Sequence, residues 1–216
     1  MPGFTRFGFT CPDIDDAFTF KVYDGEALSA SAGTFTLTYT AVNDVPVNTL
    51  GTPAAVNEDT ANAITGNSIA DVDDTSMTSV AITADRGTFS LAQTTGLTFA
   101  AGDGTSDATM TFGGTVANIN LAIATITWTS AADDDADATI TVVTTDDEGG
   151  SDTDSMTITV NSVNDAPTTT GGAATVAEDA THTFTTTASD WGFADVDSGD
   201  AMTSVDITSL PATGTL

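Results

Sequence analysis

Apolar side chains alternate with threonine along much of this chain. In Thr34-Phe35-Thr36-Leu37-Thr38-Tyr39-Thr40 the large residues fall on one face of an extended segment and the threonines on the other. Ser155-Met156-Thr157-Ile158-Thr159-Val160 repeats the pattern. Alternation with a period of two predicts antiparallel strands with one dry face and one wet face. Residues 18–22 and 138–142 predict the strands that precede these two. The pairs Val80/Ile82, Phe89/Leu91, Met110/Phe112 and Ile126/Trp128 mark further strands. Turn residues punctuate them at Asp24-Gly25, Arg86-Gly87, Asp103-Gly104, Gly113-Gly114 and Gly149-Gly150. Residues 118–123 predict a single helical turn in a crossover, and no other helix is expected. Short strands separated by glycine turns predict an all-β fold of antiparallel β-sandwiches.

The chain also repeats itself. Val42-Asn43-Asp44-Val45-Pro46 returns as Val163-Asn164-Asp165-Ala166-Pro167. Each copy is followed by a Glu-Asp pair (Glu58-Asp59, Glu178-Asp179) and then by Asp-Val-Asp (Asp71-Val72-Asp73, Asp195-Val196-Asp197). Met-Thr-Ser-Val-x-Ile-Thr follows, starting at Met77 and at Met202. The order is kept and the spacing is 120 to 125 residues. Such a chain is one supersecondary unit copied, and its function usually lies in the array. On this register residues 47–165 form a complete repeat. Residues 1–46 form the C-terminal half of one repeat, and residues 166–216 the N-terminal half of a further one. The proline after each Asn-Asp-x cannot donate to a ladder and biases its predecessor towards extended backbone. A stiff connector between sandwiches predicts a rod.

Charge narrows the function. Three Lys+Arg stand against 31 Asp+Glu, a formal net charge of −28. Nucleic-acid binding needs a basic footprint and is excluded, and anionic membrane surfaces are disfavoured. High net charge can keep a chain disordered, but 40% of the residues are hydrophobic and they recur periodically. The carboxylates must therefore be solvated, screened or bound to cations. The one cysteine, Cys11, allows no internal disulfide. Residues 1–6 lack the apolar core of a signal peptide, and no stretch approaches a membrane span, so export is expected to be signalled elsewhere. The single histidine, His182, shares a face with Phe184 and is expected to pack at an edge. With no second histidine there is no zinc constellation and no nucleophile–histidine pair, and no glycine-rich phosphate loop is present. No enzyme activity is expected.

The Val-Asn-Asp-Ala-Pro junction, the Glu-Asp pair and the Asp-Val-Asp resemble bacterial cadherin-like tandem repeats, found in very large secreted adhesins and surface proteins. The middle of the complete repeat adds to this. Arg86-Gly87-Thr88-Phe89-Ser90-Leu91, Gly113-Gly114-Thr115-Val116-Ala117-Asn118-Ile119-Asn120 and Ile126-Thr127-Trp128-Thr129 are similar to a related repeat of proteoglycan-like surface proteins. The resemblance implies tandem Ig-like or cadherin-like sandwiches in an extracellular rod or filament, stiffened by calcium and used in adhesion or as a surface fibre. It implies metal ligands Asn43, Asp44, Glu58, Asp71 and Asp73 around the first junction. Around the second it implies Asn164, Asp165, Glu178, Asp195 and Asp197. The nearest match to the Asp-Arg-Glu ligand motif of animal cadherins, Asp85-Arg86-Gly87, has no glutamate. Implied partners are neighbouring repeats or copies of the chain head to tail, and a surface glycan or host ligand. The alternative is an accessory stalk of a secreted polysaccharide-degrading enzyme.

Other signals are read structurally. Asp133-Asp134-Asp135-Ala136-Asp137 and Asp146-Asp147-Glu148 are expected to be solvated hairpin tips. Asp195-Val196-Asp197-Ser198-Gly199-Asp200 starts like an EF-hand loop but has Asp206 where the bidentate glutamate belongs. Leu210-Pro211-Ala212-Thr213-Gly214 matches a cell-wall sorting signal, but its register places it between two strands. Threonine runs such as Thr185-Thr186-Thr187 suit exposed strand positions, with O-linked glycan attachment as the sharper alternative. Half a sandwich leaves an apolar face and open strand edges, so residues 1–46 and 166–216 are expected to be completed from outside.

Overall fold

The computed structural model describes residues 16–38, 40, 42–185 and 188–209. Strands dominate it, in agreement with the all-β expectation, and the chain separates into two compact units, residues 1–44 and 45–216. Cys11 and the segment 210–214 lie outside the described residues. Among the described residues no helix is long and apolar enough to cross a membrane.

Among its described residues the N-terminal unit holds an antiparallel hairpin, β1 (Asp16–Phe20) with β2 (Gly33–Leu37). Phe18 lies opposite Phe35 with ring centroids 5.3 Å apart, and Phe20 lies opposite Gly33. Beyond β1, Asp24 Oδ1 accepts the backbone N–H groups of Glu26 and Ala27 at 2.8 and 2.9 Å. This Asx turn lets Asp24-Gly25 reverse the chain, with Gly25 at φ 107°.

In the second unit, residues 45–165 supply β3 (Val47–Thr49), β4 (Val56–Asn57), β5 (Asn62–Thr65), β6 (Ser68–Ala70), β7 (Ser76–Ala84) and β8 (Thr88–Ser90). They continue with β9 (Leu97–Ala101), β10 (Thr109–Thr115), α1 (Val116–Ile123), β11 (Thr125–Thr129), β12 (Ala138–Thr145), β13 (Ser151–Ile158) and β14 (Val160–Asn161). One sheet has the order β13-β12-β7-β10-β9 and another β5-β11-β8. Both send side chains into one core. Val80, Ile82, Met110, Phe112, Ile140 and Val142 come from the first sheet; Ile64, Phe89 and Trp128 come from the second. All nine are 2% exposed or less. The arrangement is sandwich-like, and it gathers the apolar member of every predicted pair except Leu91, which is only partly buried.

Two local expectations need correction. α1 is eight residues long rather than one turn: Thr115 Oγ1 caps it by accepting the Asn118 N–H, and Ile119, Ala122 and Ile123 fill the core. Gly113-Gly114 is not a turn but lies inside β10, where the ladder to β7 shifts between Phe112 and Gly114. A Cβ on Gly113 would sit 2.8 Å from the Thr78 carbonyl oxygen, and one on Gly114 2.9 Å from that of Gly96. Here glycine permits a bulge and close strand approach.

The short strands position the site. β14 pairs with β4 in parallel, Val160 with Val56 and Asn161 with Asn57. β4 and the last strand of the repeat therefore run the same way, and the residues that follow them emerge side by side. The chain reaches this sandwich beside Thr144, whose Oγ1 donates to Asn48 Oδ1 at 2.6 Å. It leaves beside Asp137, whose Oδ1 accepts the Val160 N–H at 3.0 Å. These points are opposite ends of β12, roughly 23 Å apart at the usual rise of a strand.

Residues 166–209 carry β15 (Thr168–Thr169), α2 (Ala188–Trp191) and β16 (Phe193–Ala194), with β15 antiparallel to β16. The sequence does not predict α2, whose four residues are too few to show a helical period. His182 meets Phe184 edge-on at 4.7 Å, and Phe184 meets Trp191 at 5.3 Å. The segment 201–208 matches β7 in sequence yet forms no strand.

Candidate metal centre

Because β4 and β14 are parallel, the Glu58-Asp59 turn lies against residues 161–165. The Glu58 N–H donates to the Asn161 carbonyl at 3.2 Å, and Glu58 Oε1 accepts the Val163 N–H at 2.9 Å. Glu58 is 3% exposed, and its other oxygen, Oε2, is buried with no hydrogen-bond partner. Asp59 takes a left-handed conformation (φ 57°), donates its N–H to Ser130 Oγ at 2.9 Å and accepts the Asp133 N–H at 3.2 Å. Asp133 is left-handed too, at φ 57°. One carboxylate oxygen each from Asp59, Asp133 and Asp165 lie within 4.8 Å of one another. The Asp165 N–H donates to Asp197 Oδ2 at 2.7 Å, and Asp165 Oδ2 is buried without a partner. Asp195, Asp197 and Asp200 form a neighbouring carboxylate group with the same spread.

A buried carboxylate oxygen with no donor is costly unless a charge or a proton compensates it. Desolvation, reinforced by the Asp133, Asp59 and Asp197 charges, pushes the Asp165 carboxyl above its ordinary value of 3.8. Arg86 does not relieve the cluster, since it forms an ion pair with Asp134 at 2.9 Å. An all-oxygen donor set with orphaned, buried oxygens fits a hard divalent cation. Calcium takes about six to eight such oxygens. Asp59, Asp133 and Asp165 lie close enough together to hold it, with Glu58 set beside them by the Val163 N–H and Asp197 by the Asp165 N–H.

A third carboxylate group joins Asp71, Asp74 and Asp146. Asp71 Oδ1 accepts the N–H groups of Asp73 and Asp74 at 3.1 and 3.0 Å, which bends the Asp-Val-Asp into an Asx turn rather than an extended strand. Asp71 Oδ2 is buried without a partner. Asp146 is 1% exposed, and its Oδ1 accepts the N–H groups of Glu148 and Gly150 at 3.0 and 2.7 Å.

The structure thus redistributes the residues the sequence singles out. Asp165 groups with Asp59 and Asp133, while Asp195 and Asp197 group with Asp200, and the Asp165 N–H donates to Asp197 Oδ2. Glu58 lies at the connector through the Val163 N–H and not with Asp71, because parallel pairing carries the end of β4 to the end of β14. Glu178 is exposed and outside the clusters. Its neighbour Asp179 repeats the left-handed backbone of Asp59, at φ 63°. Asn164 is exposed and donates from Nδ2 to the Asp165 carbonyl at 2.8 Å. Asn43 and Asp44 are exposed in the N-terminal unit, whereas Asp71 and Asp73 belong to the other unit. Asp73 is exposed, and Asp74 takes its place in the cluster.

Asp59, Asp74, Asp133, Asp146 and Asp200 are additions. Asp146 is not a solvated tip: the inward parity of Ala138, Ile140, Val142 and Thr144 continues to it. That parity was the available signal, and Asp133 had none.

The raised carboxyl of Asp165 sets a pH dependence for the metal-free chain. Glu148 is raised as well, above 4.5, chiefly by Asp74, then by desolvation and by Asp146 and Asp147. A group raised on folding contributes stability that is present below its unfolded value and lost as the pH rises through its folded value. Metal-free protein should therefore gain stability on mild acidification, in the window just above 3.8 and 4.5. Asp71, whose desolvation is outweighed by hydrogen bonds, and Asp24 and Asp190, both held low by hydrogen bonds, oppose this only below 3.8. Melting curves in chelator across mildly acidic buffers check it; a monotonic loss of stability on acidification would contradict it.

No family model matches the chain, and no curated protein matches it.

Proposed function

We propose that the chain is a non-enzymatic segment of an extracellular structural or adhesive array, built of cadherin-like sandwiches whose junctions calcium stiffens. The observation that carries this reading is the convergence at the second junction. Carboxylates from the turn after β4 (Glu58, Asp59), a loop (Asp133), the connector (Asp165) and the next half-repeat (Asp195, Asp197) gather there, with Glu58 Oε2 and Asp165 Oδ2 buried and unpaired. A cation bound there would tie two successive repeats together through a connector of a few residues. That arrangement suits a load-bearing stalk and calls for no catalytic group. The repeats would then act as spacers or as a fibre at the cell surface.

The test is calcium titration of the whole chain by calorimetry, with Glu58→Gln as the variant. The amide keeps the shape and an acceptor for the Val163 N–H but removes the charge. Calcium binding should weaken roughly ten- to a hundredfold while the calcium-free melting curve changes little or rises, because a buried charge has been removed. Calcium binding that is absent from the parent chain, or indifferent to Glu58→Gln, would count against the reading.

A further inference from the structure

Alternate residues of β7, β10, β12 and β13 turn away from the core, and strand pairing sets them in rows across the sheet. In one row Ser155 lies opposite Thr141, Thr141 opposite Thr83 and Thr83 opposite Thr109. In the next row Val143 lies opposite Ala81, with Thr153 and Thr111 outside them. Among the described residues, the hydroxyls of Ser155, Thr141, Thr83 and Thr109 have no hydrogen-bond partner within the chain. Each keeps a donor and an acceptor for something outside.

Charge distinguishes this face from the rest of the surface. The chain carries 31 Asp+Glu, but the only acids on these five strands are Asp152 and Asp154 of β13. Both have the parity of the buried Met156 and Ile158, not that of Thr153 and Ser155. Asp152 Oδ2 accepts the Asn48 N–H at 2.8 Å, on the side of β3. The acids lie in the loops beyond the strand ends, Asp85 and Asp137 at one end of β12 and Asp146 and Asp147 at the other. A field of hydroxyls and methyls without a carboxylate thus sits on a chain whose net charge of −28 repels its own kind.

That contrast selects the occupant. A basic partner finds no anion on the face, and a sugar finds no aromatic ring to stack on. A second copy finds its match. A hydroxyl both donates and accepts, so a row of hydroxyls is complementary to itself, which a row of carboxylates is not. Two copies also meet with least repulsion where neither presents an acid.

We infer that the outer face of β13-β12-β7-β10-β9 is a contact between copies of the chain, two sheets meeting face to face about a two-fold axis near Thr83 and Ala81. The contact is isologous, each row meeting the same rows of its partner. Five strands span about 24 Å and three rows about 14 Å, which gives each face roughly 350 Å². Two such faces fall short of the ~1,200 Å² that a stable pair buries, so the contact is weak and reversible. On the repeat reading the face returns in each successive sandwich, and weak contacts sum along the array. The inference uses no carboxylate of the metal centre.

The test is sedimentation of the 216-residue chain at up to about 1 mM, in chelator, at low and at high sodium chloride. The parent chain should form dimers that tighten as salt rises, because screening relieves the repulsion between copies and a neutral contact loses nothing. Thr83→Asp should weaken dimerisation roughly tenfold, because the axis sets the two new charges against each other. Leu121→Asp adds the same charge at an exposed position of α1 rather than on the sheet, and should leave dimerisation unchanged. In a Cys11→Ser background, Thr83→Cys should oxidise to a covalent dimer several times faster than Leu121→Cys. That comparison holds even if Thr83→Asp disturbs the fold. A monomeric parent chain, dimers that weaken as salt rises, or equal behaviour of the Thr83 and Leu121 cysteine variants would each overturn the inference. So would a monomer that an insoluble neutral polysaccharide retains. Calcium binding by a chain that does not dimerise removes only this inference, and dimers of a chain that binds no calcium remove only the junction reading.

Discussion

Chelating calcium should lower the melting temperature of the chain by roughly 5–10 °C for each site that was saturated about a hundredfold. A ligand present at about 100 times its Kd stabilises the folded state by about 2.7 kcal/mol. A unit of this size loses about 2–4 °C per kcal/mol. The molecular reason is specific to the second junction. Without a cation, Glu58 Oε2 and Asp165 Oδ2 remain buried and unpaired, and the Asp59, Asp133 and Asp165 oxygens repel at 4.8 Å or less. With one bound, the same oxygens become ligands. A net charge of −28 also responds to any salt, so the comparison must hold ionic strength fixed with sodium. Differential scanning calorimetry in calcium and in chelator checks the shift. Equal melting curves at matched ionic strength would remove calcium from the account of this protein.

What the sequence discloses here depends on how local the cause is. β7, β10, β11 and β12 are legible because side-chain parity is a property of each strand alone, and the buried positions Val80, Ile82, Met110, Phe112, Ile126, Trp128, Ile140 and Val142 follow it. The same parity reaches Thr144 and Asp146, so the burial of that acid could also be read. α1 exceeds its predicted turn because Val116 and Ala117, which extend it, lie just past Thr115 and a glycine pair that reads as a loop. The association of Glu58 with Asp165 cannot be read in this way. It depends on β4 and β14 pairing in parallel across about a hundred residues, and nothing within either segment encodes that. Asp133 joins the same cluster through a left-handed loop position, which has no periodicity to betray it.

Trp128→Ala should be the most damaging single change in the central sandwich, and it should also weaken calcium binding. Trp128 is 1% exposed in the middle strand of β5-β11-β8, and its indole Nε1 donates to the Arg86 carbonyl at 3.0 Å. Truncation removes the ring and leaves a cavity, at a cost of about 3–5 kcal/mol. That corresponds to a fall in melting temperature of roughly 6–20 °C. Trp128→Phe keeps most of the apolar volume and should cost about half as much or less. The link to the metal centre is short. β11 runs from Trp128 into Ser130, whose hydroxyl accepts the Asp59 N–H, and then into Asp133, whose own N–H donates to Asp59. A cavity beneath Trp128 loosens the segment that sets both acids, so the folded state gains less from the cation. The stabilisation by calcium should therefore be smaller in Trp128→Ala than in the parent chain, a non-additive pair in a double cycle of mutation and metal. Equal stabilisation by calcium in both proteins would show that the carboxylate cluster is set by its own turns, independently of the core beneath it.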